Sequence, residues 1–421
     1  MVKPHVLVLG GNFSGLGAAQ KIREYARDTV DITLIDRKNY LLFVPNISSE
    51  VLDYDRNPAL TMHMDIVKPL EEDDIYFIQG EVKGFDVDRQ TVEYVPTERP
   101  GAAAETIHYD YVVFALGNRL AYDDIEGFAE YGQTVSDTYY GEKFRRYLRN
   151  DYKGGPIAIG SDFFHQGTMT QDLVPMAAAA CEGPPVEMVF SMASWLKDHG
   201  LGNPDKITVF TPGDTIAEDA GLGNVASILK FAAGAGVHYK NKAQGIRRLT
   251  KDGVELKDGT SIEAELKIIF PDWQPHEFMK NTPIVDDQGF VLTDMTMRHP
   301  TYKNVFACGD AAAVVVPKLG YLAHITGDMV AKQIAMDMGR MEPAKANIPP
   351  HFIVNCLGDM GDKKAFFINS DTWYGGKMEQ LKVGSHVVYL LKAQYKEMFF
   401  RTKGKVPDWG IPLADFMANN L

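Results

Sequence analysis

The sequence predicts an α/β fold built on two strand–turn–helix units, followed by a C-terminal helical segment. Three observations carry that prediction. Residues 6–9, Val-Leu-Val-Leu, form a continuous apolar run suited to a strand buried on both faces, and Gly10-Gly11 follow at once. A helical pattern then spans 16–27, and a second apolar strand over 32–35 closes on Asp36. A further strand between glycines, over 154–160, begins a second unit of the same kind.

The first unit reads His5-Val-Leu-Val-Leu-Gly-Gly-Asn-Phe-Ser-Gly-Leu-Gly17. Glycines at such a turn let backbone N–H groups reach a pyrophosphate at a helix N-terminus, where the dipole favours anions. Asp36 stands where a ribose hydroxyl would be accepted. Asn12 replaces the second glycine of G-x-G-x-x-G, and asparagine tolerates a left-handed backbone better than most residues. Further along, a strand is expected over 75–79, then a meander over 83–94, and another strand over 109–117 closing on Gly117. The second unit's turn, 160–167 (Gly-Ser-Asp-Phe-Phe-His-Gln-Gly), lacks the dinucleotide glycine spacing. Strands are expected at 207–211 and 304–307, a meander with an Asp258-Gly259 turn over 253–270, and a helix over 323–338. There is no internal repeat beyond the two units.

Composition narrows the classes of function. With 421 residues, 45% hydrophobic and 24% charged, the composition is that of an ordinary globular protein, and two domains are expected. A net charge of −13 argues against a general nucleic-acid binder. No apolar run is long enough to span a bilayer, and the first strand leaves no room for a signal peptide. The three cysteines, Cys181, Cys308 and Cys356, form no C-x-x-C pair, so no metal site is expected.

These pieces resemble the FAD/NAD-reductase type of flavoprotein, with two Rossmann-like dinucleotide-binding domains. Ala115-Leu116-Gly117 resembles the second nucleotide-contact strand of that class, and residues 305–310, ending in Gly309-Asp310, resemble the motif whose Asp touches the FAD ribityl chain. Within the class the chain resembles the sulfide:quinone oxidoreductases. Cys181-Glu-Gly-Pro184 with Glu187, the run 356–362 beginning at Cys356, the run 317–321 around Lys318, and residues 39–45 carry the likeness, which extends to about Lys405. Ser136 stands where many members carry a third redox cysteine, and Glu218-Asp219 stands near a position where some members have a histidine.

The resemblance implies a discontinuous FAD-binding domain (1–120 and 285–345), a second Rossmann-like domain (121–284) and a C-terminal quinone- and membrane-binding region (346–421). It implies FAD contacts at Gly10, Gly11, Asn12, Phe13, Ser14, Gly15, Asp36, Arg37, Phe43, Pro45, Val82, Ala115, Leu116, Gly117, Asn118, Gly309, Asp310, Lys318, Leu319 and Gly320. Catalysis falls to Cys181 and Cys356, paired as a disulfide or sulfur-bridged pair, with Cys356 on the flavin side; thiol–disulfide exchange captures sulfide as a persulfide. Glu187 is placed as a proton carrier, and Lys318 over the flavin N1/C2 oxygen region. Quinone contacts are implied at Phe43, Gly320, Phe367, Lys392 and Tyr395. Cys308 reads as a packing residue, and His165 and His324 are undecided between core and surface.

Residues 387–405 carry Val387, Val388, Leu390, Leu391, Tyr395, Met398 and Phe399 at helical spacing, with five cations, Lys392, Lys396, Arg401, Lys403 and Lys405, against Glu397. Such a helix suits the surface of an anionic bilayer. A peripheral membrane protein is therefore expected, attached also through Trp409, Ile411, Leu413, Phe416 and Met417, with sulfide and quinone as partners and room for a homo-oligomer. The rival readings are a type II NADH:quinone dehydrogenase, the flavoprotein subunit of a sulfide dehydrogenase, and a flavoprotein used only as a binding module.

Overall fold

The computed structural model describes residues 2–53, 57–169, 172, 175–314, 318–406 and 416. The N-terminal strand β1 (His5–Leu9) is followed by helix α1 (Phe13–Ala26), strand β2 (Asp31–Asp36) and the short helix α2 (Ile47–Leu52). Strands β3 (Tyr76–Asp86), β4 (Thr91–Pro96), β5 (Glu105–His108) and β6 (Tyr111–Phe114) come next. A second group holds β7 (Gly132–Gln133), β8 (Ile157–Ser161), helix α3 (Gly183–Asp198), β9 (Ile207–Phe210), β10 (His238–Lys240) and β11 (Leu266–Phe270). The chain then adds β12 (Val305–Ala307), helix α4 (Gly320–Asp337), β13 (Val354–Asp359), β14 (Ala365–Ser370), β15 (Glu379–Ser385) and helix α5 (His386–Arg401).

One sheet runs in the order β12-β6-β1-β2-β3-β4-β5 and the other β7-β11-β8-β9-β10. β1 is central in the first: Leu7 pairs in parallel with Thr33 on one side and Val112 on the other. That is why residues 6–9 are apolar throughout, with no exposure of Val6, Leu7, Val8 or Leu9. The expected meander is the antiparallel extension β3-β4-β5. Around Asp258-Gly259 the chain makes an antiparallel hairpin, but residues 266–270 leave it and join the second sheet as β11 between β7 and β8.

Two expectations are corrected. β8 does not turn directly into a helix: among the described residues the next helix after β8 is α3, which starts at Gly183. Asn12 sits at φ −89°, an ordinary extended conformation, so its replacement of glycine needs no left-handed backbone.

The C-terminal strands form an antiparallel sheet, β13-β14-β15, with Cys356 opposite Ile368. Successive side chains on β14 face opposite ways. Phe366 and Ile368 join the main core, whereas Phe367 turns under α5 into a small cluster with Ala365 and Val388. α5 buries Val388, Lys392, Lys396 and Phe399 along one face. Among the described residues no helix is long and apolar enough to cross a membrane.

Candidate functional site

A cavity of about 1280 Å³ runs from the glycine turn after β1 to the start of α3 and along α5. Its nucleotide end is built by close approach. Gly10 has φ +101°, and a Cβ there would land on the Ala115 carbonyl oxygen; a Cβ on Gly15 would land on the Gly10 carbonyl. The turn therefore holds the start of α1 tight against the ends of β1 and β6. No side chain caps α1, and no acidic residue lies in its first turn, so its amides are free to meet an anion. Asp36 accepts from the Gly11 N–H at 2.6 Å and the Lys38 N–H at 2.8 Å, which fixes its carboxylate at the cavity wall. Asn12 Oδ1 is buried there with no hydrogen-bond partner. A glycine cradle, an uncapped helix start, a fixed carboxylate and an orphaned amide oxygen fit the adenosine diphosphate half of FAD. Gly10→Ala is accordingly expected to yield folded but colourless protein, measured as the flavin-to-protein absorbance ratio; full flavin content would contradict the cradle.

Beside the start of α1, where Gly309 packs on Ser14, stand Asp310, half-buried, and Lys318, buried. Lys318 Nζ donates to the Ala312 carbonyl at 2.8 Å and lies 4.6 Å from the Phe290 ring centre. Burial pulls the Lys318 ammonium down to about 8, partly offset by Asp310, while burial raises Asp310 and Lys318 opposes that rise. Lys318 is thus a buried side chain on the cavity wall rather than a surface loop lysine.

The sulfur chemistry sits between α3 and β13. A Cβ on Gly183 would stand 2.9 Å from Cys356 Sγ and 3.5 Å from Cys181 Sγ, so both sulfurs flank one backbone position. Both are free thiols. Burial raises both, Cys356 to about 12 and Cys181 well above the usual thiol range, with each affected further by neighbouring acids. Cys356 feels Glu187 raising and Lys392 lowering its pKa. Glu187 accepts from Ser48 Oγ at 2.7 Å and is ion-paired with Lys392, both side chains 6% exposed. One turn along α5, Lys396 Nζ donates to Glu50 of α2 at 2.9 Å. Behind Cys181, burial raises Glu182 to about 8 and Asp219 to about 7.

Of the residues expected at the site, the cavity brings together Gly10, Asn12, Phe13, Ser14, Asp36, Arg37, Pro45, Val82, Ala115, Leu116, Gly117, Asn118, Cys181, Glu187, Asp310, Lys318, Leu319, Gly320, Cys356, Lys392 and Tyr395. Ser136 lines it as well. Gly11, Gly15 and Gly309 do not line it; Gly309 packs on Ser14 and Gly15 on the glycine turn. Phe43 and Phe367 do not line it either. Phe43 has no exposed surface, its ring 5.4 Å from Phe399 and 5.8 Å from Phe13, and Phe367 is 1% exposed beneath α5. Cys308 is fully buried in the core. His165 is on the surface, its Nδ1 2.8 Å from Asp272, whereas His324 is half-buried on the cavity wall with its Nε2 out of contact with solvent.

The C-terminal helix departs furthest from expectation. Lys392 and Lys396 are buried partners of acids, and Lys403 and Lys405 pair with Glu72 and Asp73. Of the apolar stripe, Val388 and Phe399 are buried, Val387, Leu391, Tyr395 and Met398 are half-buried and Leu390 is exposed. Trp409, Ile411, Leu413 and Met417 lie outside the described residues; Phe416 is exposed. Sequence reading missed Ser48 and Glu50 and left His324 undecided; none of the three sits in a motif.

A family model for pyridine nucleotide-disulphide oxidoreductases matches residues 4–150. The sulfide-quinone reductase of Aquifex aeolicus is 24% identical over 386 residues, covering 86% of this chain and 83% of that one. A probable NADH dehydrogenase of Dictyostelium discoideum is 20% identical, covering 87% of this chain and 80% of that one. Among solved structures, the Aquifex aeolicus sulfide:quinone oxidoreductase superposes with a TM-score of 0.81 at 21% identity, over 99% of this chain and 95% of that one. NDH2 of Plasmodium falciparum, in complex with NADH, gives 0.68 at 12% identity over 99% and 97%.

Fold and cavity together define an FAD-dependent oxidoreductase of the two-dinucleotide-domain class. Within that class the chain's resemblance is to the sulfide:quinone oxidoreductase family.

Proposed function

We propose that the protein oxidises sulfide to sulfane sulfur at the Cys181–Cys356 pair and passes the electrons through FAD to a membrane quinone. The observation that carries this reading is the position of the two thiols. They come from segments far apart in sequence, yet flank Gly183 together on the wall of the cavity that also takes in the glycine turn after β1. In the oxidised pair, hydrosulfide attacks the S–S bond; that bond breaks, a new one forms, and a persulfide and a thiol result. Bound FAD would supply the two-electron acceptor by which the persulfide and the thiol close into a sulfur-bridged pair, R–S–S–S–R′, giving up two protons and keeping the added sulfur between the cysteines. Lys392 supplies positive charge beside Cys356, which favours a thiolate there against the cost of burial. Glu187, held by Ser48 and Lys392, is within reach of protons given up as sulfur is oxidised.

For the quinone, Gly320, Lys392 and Tyr395 are on the cavity wall, and that wall continues along α5 to Arg401 and Val406. The support for a peripheral position at the bilayer is this run of cavity along α5 toward Arg401, not the buried face of α5. An NADH-oxidising role is opposed by the second unit. A Cβ on Gly160 would strike the Phe210 ring, and Asp162 is buried, accepting from Ile246 N–H at 3.1 Å and Phe163 N–H at 2.9 Å. Among the described residues no helix starts at the turn over 160–167, so that turn offers no helix N-terminus to a second pyrophosphate.

Anaerobic mixing of the holoenzyme with sulfide or with NADH separates these readings. Sulfide is expected to bleach the flavin within the mixing experiment and NADH to do so at least a hundredfold more slowly. Bleaching by NADH alone would overturn the proposal.

A further inference from the structure

His324 projects from the first turns of α4 into the space between α1 and the C-terminal half of α5. Its ring meets Phe13 edge-on at 5.6 Å and Phe399 at 5.7 Å. It lines the same cavity as Phe13, Tyr321, Tyr395, Met398 and Val406, an aromatic and apolar stretch of wall between the start of α1 and α5. His324 Nε2 is buried and has no hydrogen-bond partner. Burial lowers the pKa of this imidazole to about 4, so the ring is neutral at physiological pH. Buried polar atoms are normally paired, and one left open on a cavity wall points to a ligand atom. A diphosphate would favour a protonated ring in a polar setting. A neutral imidazole among aromatic rings instead matches a flat, uncharged molecule with a carbonyl acceptor.

The geometry points to His324 Nε2 as the hydrogen-bond donor to a carbonyl oxygen of the quinone, whose ring lies against Phe13 and Tyr395. This inference rests on the sulfide:quinone reading above and adds to it a residue that binds the acceptor. It also relocates the quinone's aromatic contacts from Phe43 and Phe367, which do not reach the cavity, to side chains that do. The bond is one of binding, and no proton transfer is assigned to the ring.

The test uses His324→Leu, which keeps bulk and removes the donor, and His324→Gln, which keeps an N–H. Binding of a decyl-substituted 1,4-benzoquinone to the oxidised holoenzyme is measured by equilibrium dialysis, beside flavin content, sulfide-driven bleaching and reoxidation of the bleached enzyme by the same quinone. His324→Leu is expected to keep its FAD and its sulfide reaction while binding the quinone about tenfold more weakly, as loss of one hydrogen bond would give. Reoxidation at low quinone should slow in proportion, and His324→Gln should recover part of the loss. Unchanged quinone affinity in His324→Leu overturns the inference. So does loss of FAD from both variants, which would assign the ring to the flavin. If His324→Leu fails to fold, wild-type affinity in His324→Gln supports the inference and a loss as large as that of a folded His324→Ala overturns it. Failure of the wild-type holoenzyme to bind or reduce the quinone overturns the sulfide:quinone reading itself, which is a different result from an unaffected variant.

Discussion

Cys356→Ser is expected to abolish sulfide-driven bleaching of the flavin while FAD stays bound. The hydroxyl neither exchanges sulfur nor forms the S–S bond that hydrosulfide attacks. The side chain lies on the cavity wall beside Lys392 and Glu187, so the change removes the chemistry without opening the core. Cys181→Ser should be nearly as severe, since its sulfur is the partner across Gly183. Cys308→Ser should leave bleaching almost unchanged; that residue lies in the core and does not line the cavity. Stopped-flow absorbance at the flavin maximum gives the order. If Cys308→Ser were the most damaging of the three, the pair would be misassigned.

Lys392→Met is expected to cost about 3–5 kcal/mol of unfolding free energy, because it strands the Glu187 carboxylate in the interior. Both side chains are 6% exposed, so solvent screens the pair little. The Glu187 carboxyl is already raised by burial, with Lys392 holding it down. Removing the lysine lets the carboxyl protonate and recover some of the loss. The double change Glu187→Gln with Lys392→Met should regain at least half of the loss, since it removes both charges together. Urea unfolding of the four proteins measures this coupling, and simple additivity of the single changes would contradict a buried ion pair.

The nucleotide end was legible because its chemistry is local. Gly10, Gly15, Asp36 and the strands around them lie within one strand–turn–helix–strand unit, where residue type and spacing dictate the backbone. The cysteines were legible for another reason: their neighbours form short motifs that keep their meaning wherever the fold brings them together. Proximity to a motif was a poor guide to side-chain direction. Phe43 stands beside cavity residues in sequence but turns into the aromatic core, and Phe367 lies on the opposite face of β14 from its two neighbours. Lys392 and Lys396 stand one turn apart on the face that carries Val388 and Phe399. That spacing was visible, yet it reads as a solvated lysine edge because the acids that neutralise them, Glu187 and Glu50, belong to remote helices. Buried lysines declare themselves only once their partners are known. The same holds for His324, whose environment comes from α1 and α5 rather than from its own helix.

The central claim is that sulfur from sulfide becomes bonded to this cysteine pair as the flavin is reduced. The most direct measurement is mass spectrometry of the oxidised holoenzyme quenched with an alkylating agent after one equivalent of sulfide under anaerobic conditions. The expected result is one extra sulfur atom on the peptide carrying Cys181 or Cys356, appearing in step with bleaching of the flavin, with none on the Cys308 peptide. Full bleaching with no added sulfur on either peptide at any quench time would contradict the account.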